Sequence, residues 1–178
     1  MDHKARFAAR SLHKHYPEPE RLPVDASLVF VRGEGVCVRR GSTPTIYNAQ
    51  PPDLPECLQK SAQYLGHRGS TPCYAVEVPG DQPLPEGLAY FGVRELAGLI
   101  PDEELAVAGL AVQIIDYDRN TRFCGRCGTP TKPARIERAK VCPSCHRAIY
   151  PRLSPAIIVL VRKNDSILLV RGVRAPPG

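Results

Sequence analysis

Two C-x2-C pairs constrain this chain more than any other feature. Cys124 and Cys127 form the first, Cys142 and Cys145 the second, with 14 residues between the pairs. Each pair lets two thiolates on one tight turn reach the same ion, and two such knuckles complete a tetrahedron. The turns read Cys124-Gly125-Arg126-Cys127-Gly128 and Cys142-Pro143-Ser144-Cys145-His146. Glycine and proline suit them because one adopts positive φ and the other fixes φ. The spacing predicts a four-cysteine zinc ribbon. Four thiolates leave zinc no open position for water or substrate, so the expected metal is structural.

At 178 residues the chain can bury one good core, or two small domains joined by a metal module. It contains no run of 18 apolar residues, and no membrane association is expected. Residues 1–16 carry charges and histidines but no apolar core of a signal peptide. Seven cysteines, four of them in a metal pattern, point to a reducing, cytoplasmic setting. Cys37 and Cys73 sit in apolar, strand-like segments as small buried hydrophobes, and Cys57 lies in a proline-rich stretch.

The formal net charge is +6, and it is concentrated. From Arg119 to Arg152 there are nine lysines and arginines against one acid, Glu137. Such a segment either attracts phosphates or simply presents solvated cations.

Along the chain, residues 1–23 read as a flexible tail ending in Pro17, Pro19 and Pro23. Strands are expected over 27–32 and 35–40, with a turn over 40–44 and a loop over 51–55. A second hairpin, 64–67 with 73–78, turns at Arg68-Gly69-Ser70. Helices follow, over 92–99 and from Pro101 onward. Asp102, Glu103 and Glu104 in the first turn of the latter suit the helix dipole. Leu105, Ala108, Val112 and Ile115 fall on one face of it. Beyond the knuckles, 156–162 and 166–171 read as a β-hairpin turning at Lys163-Asn164-Asp165. Two strands alone are marginally stable, so this hairpin is expected to open a further domain.

The order of these pieces resembles the NAD(H) pyrophosphatase family of Nudix hydrolases. The residues that carry the resemblance are the helix over 100–120, Arg122-Phe123-Cys124-Gly125-Arg126-Cys127-Gly128 and Cys142-Pro143-Ser144-Cys145-His146. They continue through Tyr150-Pro151-Arg152-Leu153-Ser154-Pro155-Ala156-Ile157-Ile158 and Asp165-Ser166-Ile167-Leu168-Leu169. The resemblance implies an α+β fold in four parts: the tail (1–23), a Nudix-like amino-terminal domain (24–120), the zinc ribbon (121–150), and the first β-hairpin of a second, catalytic Nudix domain (151–178). It also implies a homodimer that hydrolyses the pyrophosphate of NADH or NAD to nicotinamide mononucleotide and AMP, some members removing an NAD cap from RNA 5′ ends. The magnesium or manganese of such enzymes is held by the glutamates of a Nudix box, G-x5-E-x7-R-E-U-x-E-E-x-G-U with U aliphatic, which is expected after the last hairpin and is not found in these 178 residues. The chain by itself is therefore expected to be inactive, with no catalytic residue assigned. Gly80, Glu86, Arg94, Glu95 and Leu96 match the first half of a box, but Gly98 and Leu99 stand where its glutamate pair belongs.

By the same resemblance, Glu137 and Tyr150 are substrate contacts, as are Arg94 and, more loosely, Arg40. A carboxylate suits ribose hydroxyls, an aromatic ring suits a base, and guanidinium suits pyrophosphate. Each has a plainer role available: Glu137 balancing Arg135, Arg138 and Lys140, Tyr150 packing on the knuckle, and the arginines lying solvated. The alternative for the whole chain is a zinc-ribbon module that binds nucleic acid or protein.

Overall fold

The computed structural model describes residues 21–51 and 55–173. The expected tail lies outside the described residues up to position 20, as do the centre of the 51–55 loop and the last five residues.

One sheet organises the amino-terminal domain. Strand β1 (Ser27–Arg32) turns at Gly33, which has φ +60°, into β2 (Gly35–Arg39). The short strands β3 (Thr45–Ile46) and β4 (Asn48–Ala49) pair with β2 and β1 respectively. Strand β5 (Gln63–Arg68) turns at Gly69 into β6 (Thr71–Glu77), which lies parallel to β1 with Leu28 opposite Tyr74 and Phe30 opposite Val76. Strand β7 (Leu88–Gly92) pairs with β2 along its whole length.

Alternation along the strands makes two apolar faces. On the first, Val29, Val31, Val36, Val38, Leu65 and Ala75 pack against helix α3 (Asp102–Asn120). On the second, Leu28, Phe30, Cys37, Tyr64, Tyr74 and Val76 form a separate cluster. That face is covered by loops and by helix α1 (Glu56–Lys60), a single turn that follows the expected 51–55 loop and has no assignment from the sequence.

Helix α3 begins after Pro101 with its three acids at the positive end of the helix dipole and Arg119 at the other. Its buried face is Val107, Ala108, Ala111, Ile114 and Ile115. Ala108 and Ile115 fall where the periodicity puts them, whereas Leu105 and Val112 are only partly buried at its flanks. Fully burying one of its valines or isoleucines is worth roughly 1.5–3 kcal/mol. The helix expected over 92–99 is one turn, α2 (Val93–Leu96), started by the Glu95 carboxylate accepting from the Gly92 amide at 2.6 Å. Glu95 of the half-box is thus a helix cap. No described helix is long and apolar enough to cross a membrane.

The ribbon follows without a spacer. It holds a three-stranded sheet of β8 (Lys132–Pro133), β9 (Lys140–Val141) and β10 (Ala148–Ile149). Beyond it, among the described residues only β11 (Arg162–Lys163) and β12 (Ser166–Ile167) pair, around Asn164 with φ +54°. The long strands expected over 156–162 and 166–171 do not extend past this turn. Their apolar residues are exposed, Ile157 by 85% and Leu169 by 82%, so no packed face holds them extended.

Candidate metal centre and the groups beside it

The two knuckles are built alike. In the first, the Gly128 amide donates to the Cys124 carbonyl at 2.8 Å; in the second, the His146 amide donates to the Cys142 carbonyl at 2.9 Å. Gly128 has φ +73° and His146 φ +58°, so the residue after each second cysteine is left-handed. Further amides point at sulfur: Arg126 N lies 3.4 Å from Cys124 Sγ and Cys145 N 3.4 Å from Cys142 Sγ. Such N–H groups stabilise thiolates. Each turn also closes a short ladder, Cys124 N to Thr129 O at 2.9 Å and Cys142 N to Arg147 O at 3.0 Å.

The four sulfurs all lie within 4.8 Å of one another, with Cys124–Cys145 at 3.6 Å and Cys127–Cys142 at 3.5 Å. A tetrahedron with zinc–sulfur bonds of about 2.3 Å has edges of about 3.8 Å. The donor set is all-thiolate, which suits zinc, and the geometry fits it. Thiol chemistry points the same way. Hydrogen bonds from Thr129 lower Cys127 to about 6. Cys145 is pushed up to about 11 although the Arg147 amide pulls it down, because desolvation and the three neighbouring sulfurs oppose its ionisation. Four adjacent thiols cannot all ionise side by side without a cation to share.

The ribbon is fastened to the domain before it by polar contacts. Lys140 Nζ sits 2.6 Å from the Asp118 carboxylate and donates to the Asp118 carbonyl at 3.0 Å. Tyr117 donates its hydroxyl to the Ile149 carbonyl at 2.6 Å. Glu77 at the end of β6 accepts from Arg119 at 2.7 Å and Arg122 at 3.3 Å, joining sheet, helix end and ribbon entrance. The β5–β6 register shifts between Tyr64 and Gly66, leaving Leu65 in a bulge, and Arg138 Nη2 donates to the Leu65 carbonyl at 2.9 Å.

Of the four residues singled out as substrate contacts, two meet. The Tyr150 hydroxyl donates to Glu137 Oε1 at 3.1 Å, and both side chains are exposed. The bond to Glu137 and its charge push the Tyr150 phenol above its usual range, so it stays protonated and donating. Arg94 lies on α2 and Arg40 just past β2, both exposed on the amino-terminal domain. Among the described residues neither bonds to the Glu137–Tyr150 pair. No local pattern signals that these two pair, because they lie 13 residues apart across the second knuckle. No polar or charged residue is fully buried among the described residues, and the cysteine cluster is the one group there able to hold a metal through three or more side chains.

Two family comparisons match adjacent stretches. The NADH pyrophosphatase-like rudimentary NUDIX domain matches residues 24–116, more than half of the chain. This chain belongs to that family. The NADH pyrophosphatase zinc ribbon domain matches residues 119–150, the segment that carries all four cysteines of the cluster. Among curated relatives, the NAD-capped RNA hydrolase NudC of Deinococcus radiodurans is 43% identical over 117 residues, covering 64% of this chain and 41% of that protein. The NudC of Stutzerimonas stutzeri is 40% identical over 120 residues, 66% of this chain and 42% of that one. The NudC of Chromobacterium violaceum is 33% identical over 145 residues, 80% of this chain and 54% of that one. The chain thus spans about half the length, or less, of these family members. The expected fold class stands: an α+β chain with a rudimentary Nudix domain followed by a zinc ribbon.

Proposed function

We propose that these residues form the amino-terminal part of a divalent-metal-dependent NAD(H) diphosphatase. The enzyme hydrolyses the pyrophosphate of NADH, NAD or an NAD-capped RNA 5′ end, giving nicotinamide mononucleotide and AMP. On this reading the parts divide as 24–120, 121–150 and 151–178, the last opening the catalytic Nudix domain. A homodimer in the cytoplasm completes the proposal.

The observation that carries it is the Glu137–Tyr150 pair, held on a ribbon that follows a rudimentary Nudix domain. Zinc held by Cys124, Cys127, Cys142 and Cys145 supplies a fixed tetrahedral node and no chemistry. The node sets the ribbon's strands, with Glu137 in the bend between β8 and β9 and Tyr150 directly after β10. Glu137 accepts from ribose hydroxyls, and Tyr150, already oriented by Glu137, presents its ring to a base. Arg94 and Arg40 supply positive charge to the pyrophosphate from the amino-terminal domain, which requires that the substrate, or a second protomer, brings them to the pair. Magnesium or manganese would polarise the pyrophosphate through glutamates that these residues do not include. The 178 residues alone are therefore inactive.

The test fuses this chain to the carboxy-terminal remainder of the Deinococcus NudC and assays NADH and NAD-capped RNA cleavage with magnesium. The fusion should cleave. Glu137→Gln should raise KM about tenfold with kcat within about twofold, the signature of lost uniform binding. Magnesium-dependent cleavage by the 178 residues alone would sink the division of labour. An unchanged KM in Glu137→Gln would remove the substrate role. The second reading, a nucleic-acid-binding ribbon, is favoured by the nine cations against one acid between Arg119 and Arg152. It requires RNA affinity that falls steeply with salt.

A further inference from the structure

The second face of the amino-terminal sheet holds a cavity that the hydrolase reading does not use. Its volume is about 190 Å³. That equals roughly six waters at about 30 Å³ each, or one small ring system. Phe30, Tyr47 and Tyr90 supply aromatic walls, and Leu58 and Leu84 close it from the covering segments. The Phe30 and Tyr47 rings lie 5.7 Å apart and tilted by 30°, making a continuous aromatic surface.

One charged residue enters this apolar lining. The Arg32 guanidinium stacks over Tyr90 at 4.6 Å from the ring centroid, and its Nη2 donates to the Gln82 carbonyl. Stack and bond fix its plane. Its Nε–H is buried and finds no partner among the described residues. That nitrogen is covered by protein, but the guanidinium lines the cavity, and an anion held there gains a charge-assisted bond to it. No carboxylate lines the cavity, and Arg32 forms no ion pair among the described residues. Arg39 adds a second cation 5.6 Å from the centre of the Tyr47 ring. Apolar walls, aromatic surface and uncompensated positive charge together select an anion attached to a flat ring.

We infer that this cavity binds a planar aromatic anion of one or two rings, its ring against Phe30 and Tyr47 and its anionic group on Arg32. A carboxylate and a phosphate share that chemistry, and the test separates them. It also stands apart from the hydrolase reading: it uses no ribbon residue, and binding here is measured without catalysis.

The 178-residue protein, ¹⁵N-labelled and zinc-loaded, is titrated with four probes: nicotinate, nicotinamide, AMP and adenosine. Amide shifts locate each one. Nicotinate or AMP should bind saturably with shifts centred on β1, β2 and β7, and its neutral counterpart about tenfold more weakly. Binding by nicotinate alone identifies a carboxylate site, by AMP alone a phosphate site. Arg32→Gln should lower the anion's affinity about tenfold and leave the neutral probe unchanged. If that variant does not fold, the anion-to-neutral ratio and the shift map of the wild type decide. Equal affinity for anion and neutral probe, shifts confined to the surroundings of Glu137 and Tyr150, or no saturable binding overturns the inference.

Discussion

The Lys140–Asp118 contact is the one described ion pair between helix α3 and the ribbon's strands, and its loss can be worked out from its surroundings. The side chains are 11% and 23% exposed, so the pair is neither a surface bridge nor a dry one. Exposed pairs contribute about 0.2–1 kcal/mol, and breaking a fully buried pair costs about 3–5 kcal/mol. Lys140→Met keeps the aliphatic stem and removes both of the lysine's bonds, to the carboxylate and to the Asp118 carbonyl. A loss of about 2 kcal/mol lies between those limits, or about 4–8 °C in Tm for a chain of this size. Asp118→Asn keeps the shape and leaves the bond to the carbonyl intact, so it should cost about 1 kcal/mol. The assay is urea unfolding of wild type, both single variants and the double variant, followed by circular dichroism. A coupling energy of about 1 kcal/mol is expected. Coupling below about 0.3 kcal/mol, or Asp118→Asn costing more than Lys140→Met, would refute the reasoning that this pair docks the ribbon.

Other expectations concern the knuckles and the thiols. His146 takes a left-handed conformation where the matching knuckle has Gly128, so His146→Gly should stabilise the protein by about 0.5–1 kcal/mol in the same unfolding assay. Cys142→Ser should drop zinc from about one per chain by elemental analysis, with amide signals of the ribbon collapsing and those of the amino-terminal sheet persisting. In zinc-loaded protein at pH 8, Cys57, which is exposed, should be the first thiol alkylated. Cys37, buried and pushed up to about 11 by desolvation, and Cys73, buried and likewise raised, should react only on unfolding, as peptide mass mapping would show.

The elements most legible in the sequence are those whose cause is local. The C-x2-C turns dictate their own geometry, and the near-continuous apolar runs within Ser27–Arg32 and Thr71–Glu77 suit strands with two buried faces. Pro101 and the acids after it mark the start of α3. The buried face of that helix is less well read, because which stripe turns inward is decided by the sheet beneath it. Val107 and Ala111 are buried where Leu105 and Val112 are not. Helix α1 is missed since a single turn between prolines and a strand has no periodicity to detect. The parallel pairing of β1 with β6 depends on contacts more than 40 residues apart, which no local pattern encodes. For the site, spacing finds the four thiols, whereas the Glu137–Tyr150 bond and the orphaned Arg32 Nε–H arise from tertiary placement. The apolar stretches around 157–161 and 167–170 read as strands by composition, and they remain exposed because strand propensity acts only where a packed surface exists.

The bond from Arg138 to the bulged Leu65 carbonyl reaches further than its length suggests. A strand at the margin of a sheet can slide by one position, and sliding exchanges its inward and outward side chains. Sliding β5 would move the bulge and turn the carbonyl that Arg138 grips away from the ribbon. An ordered ribbon therefore acts as a gauge on the alignment of a strand more than 70 residues earlier, rewarding one alignment over its neighbours. Because the ribbon's order depends on its metal, metal supply would reach back to the precision with which the first domain is assembled.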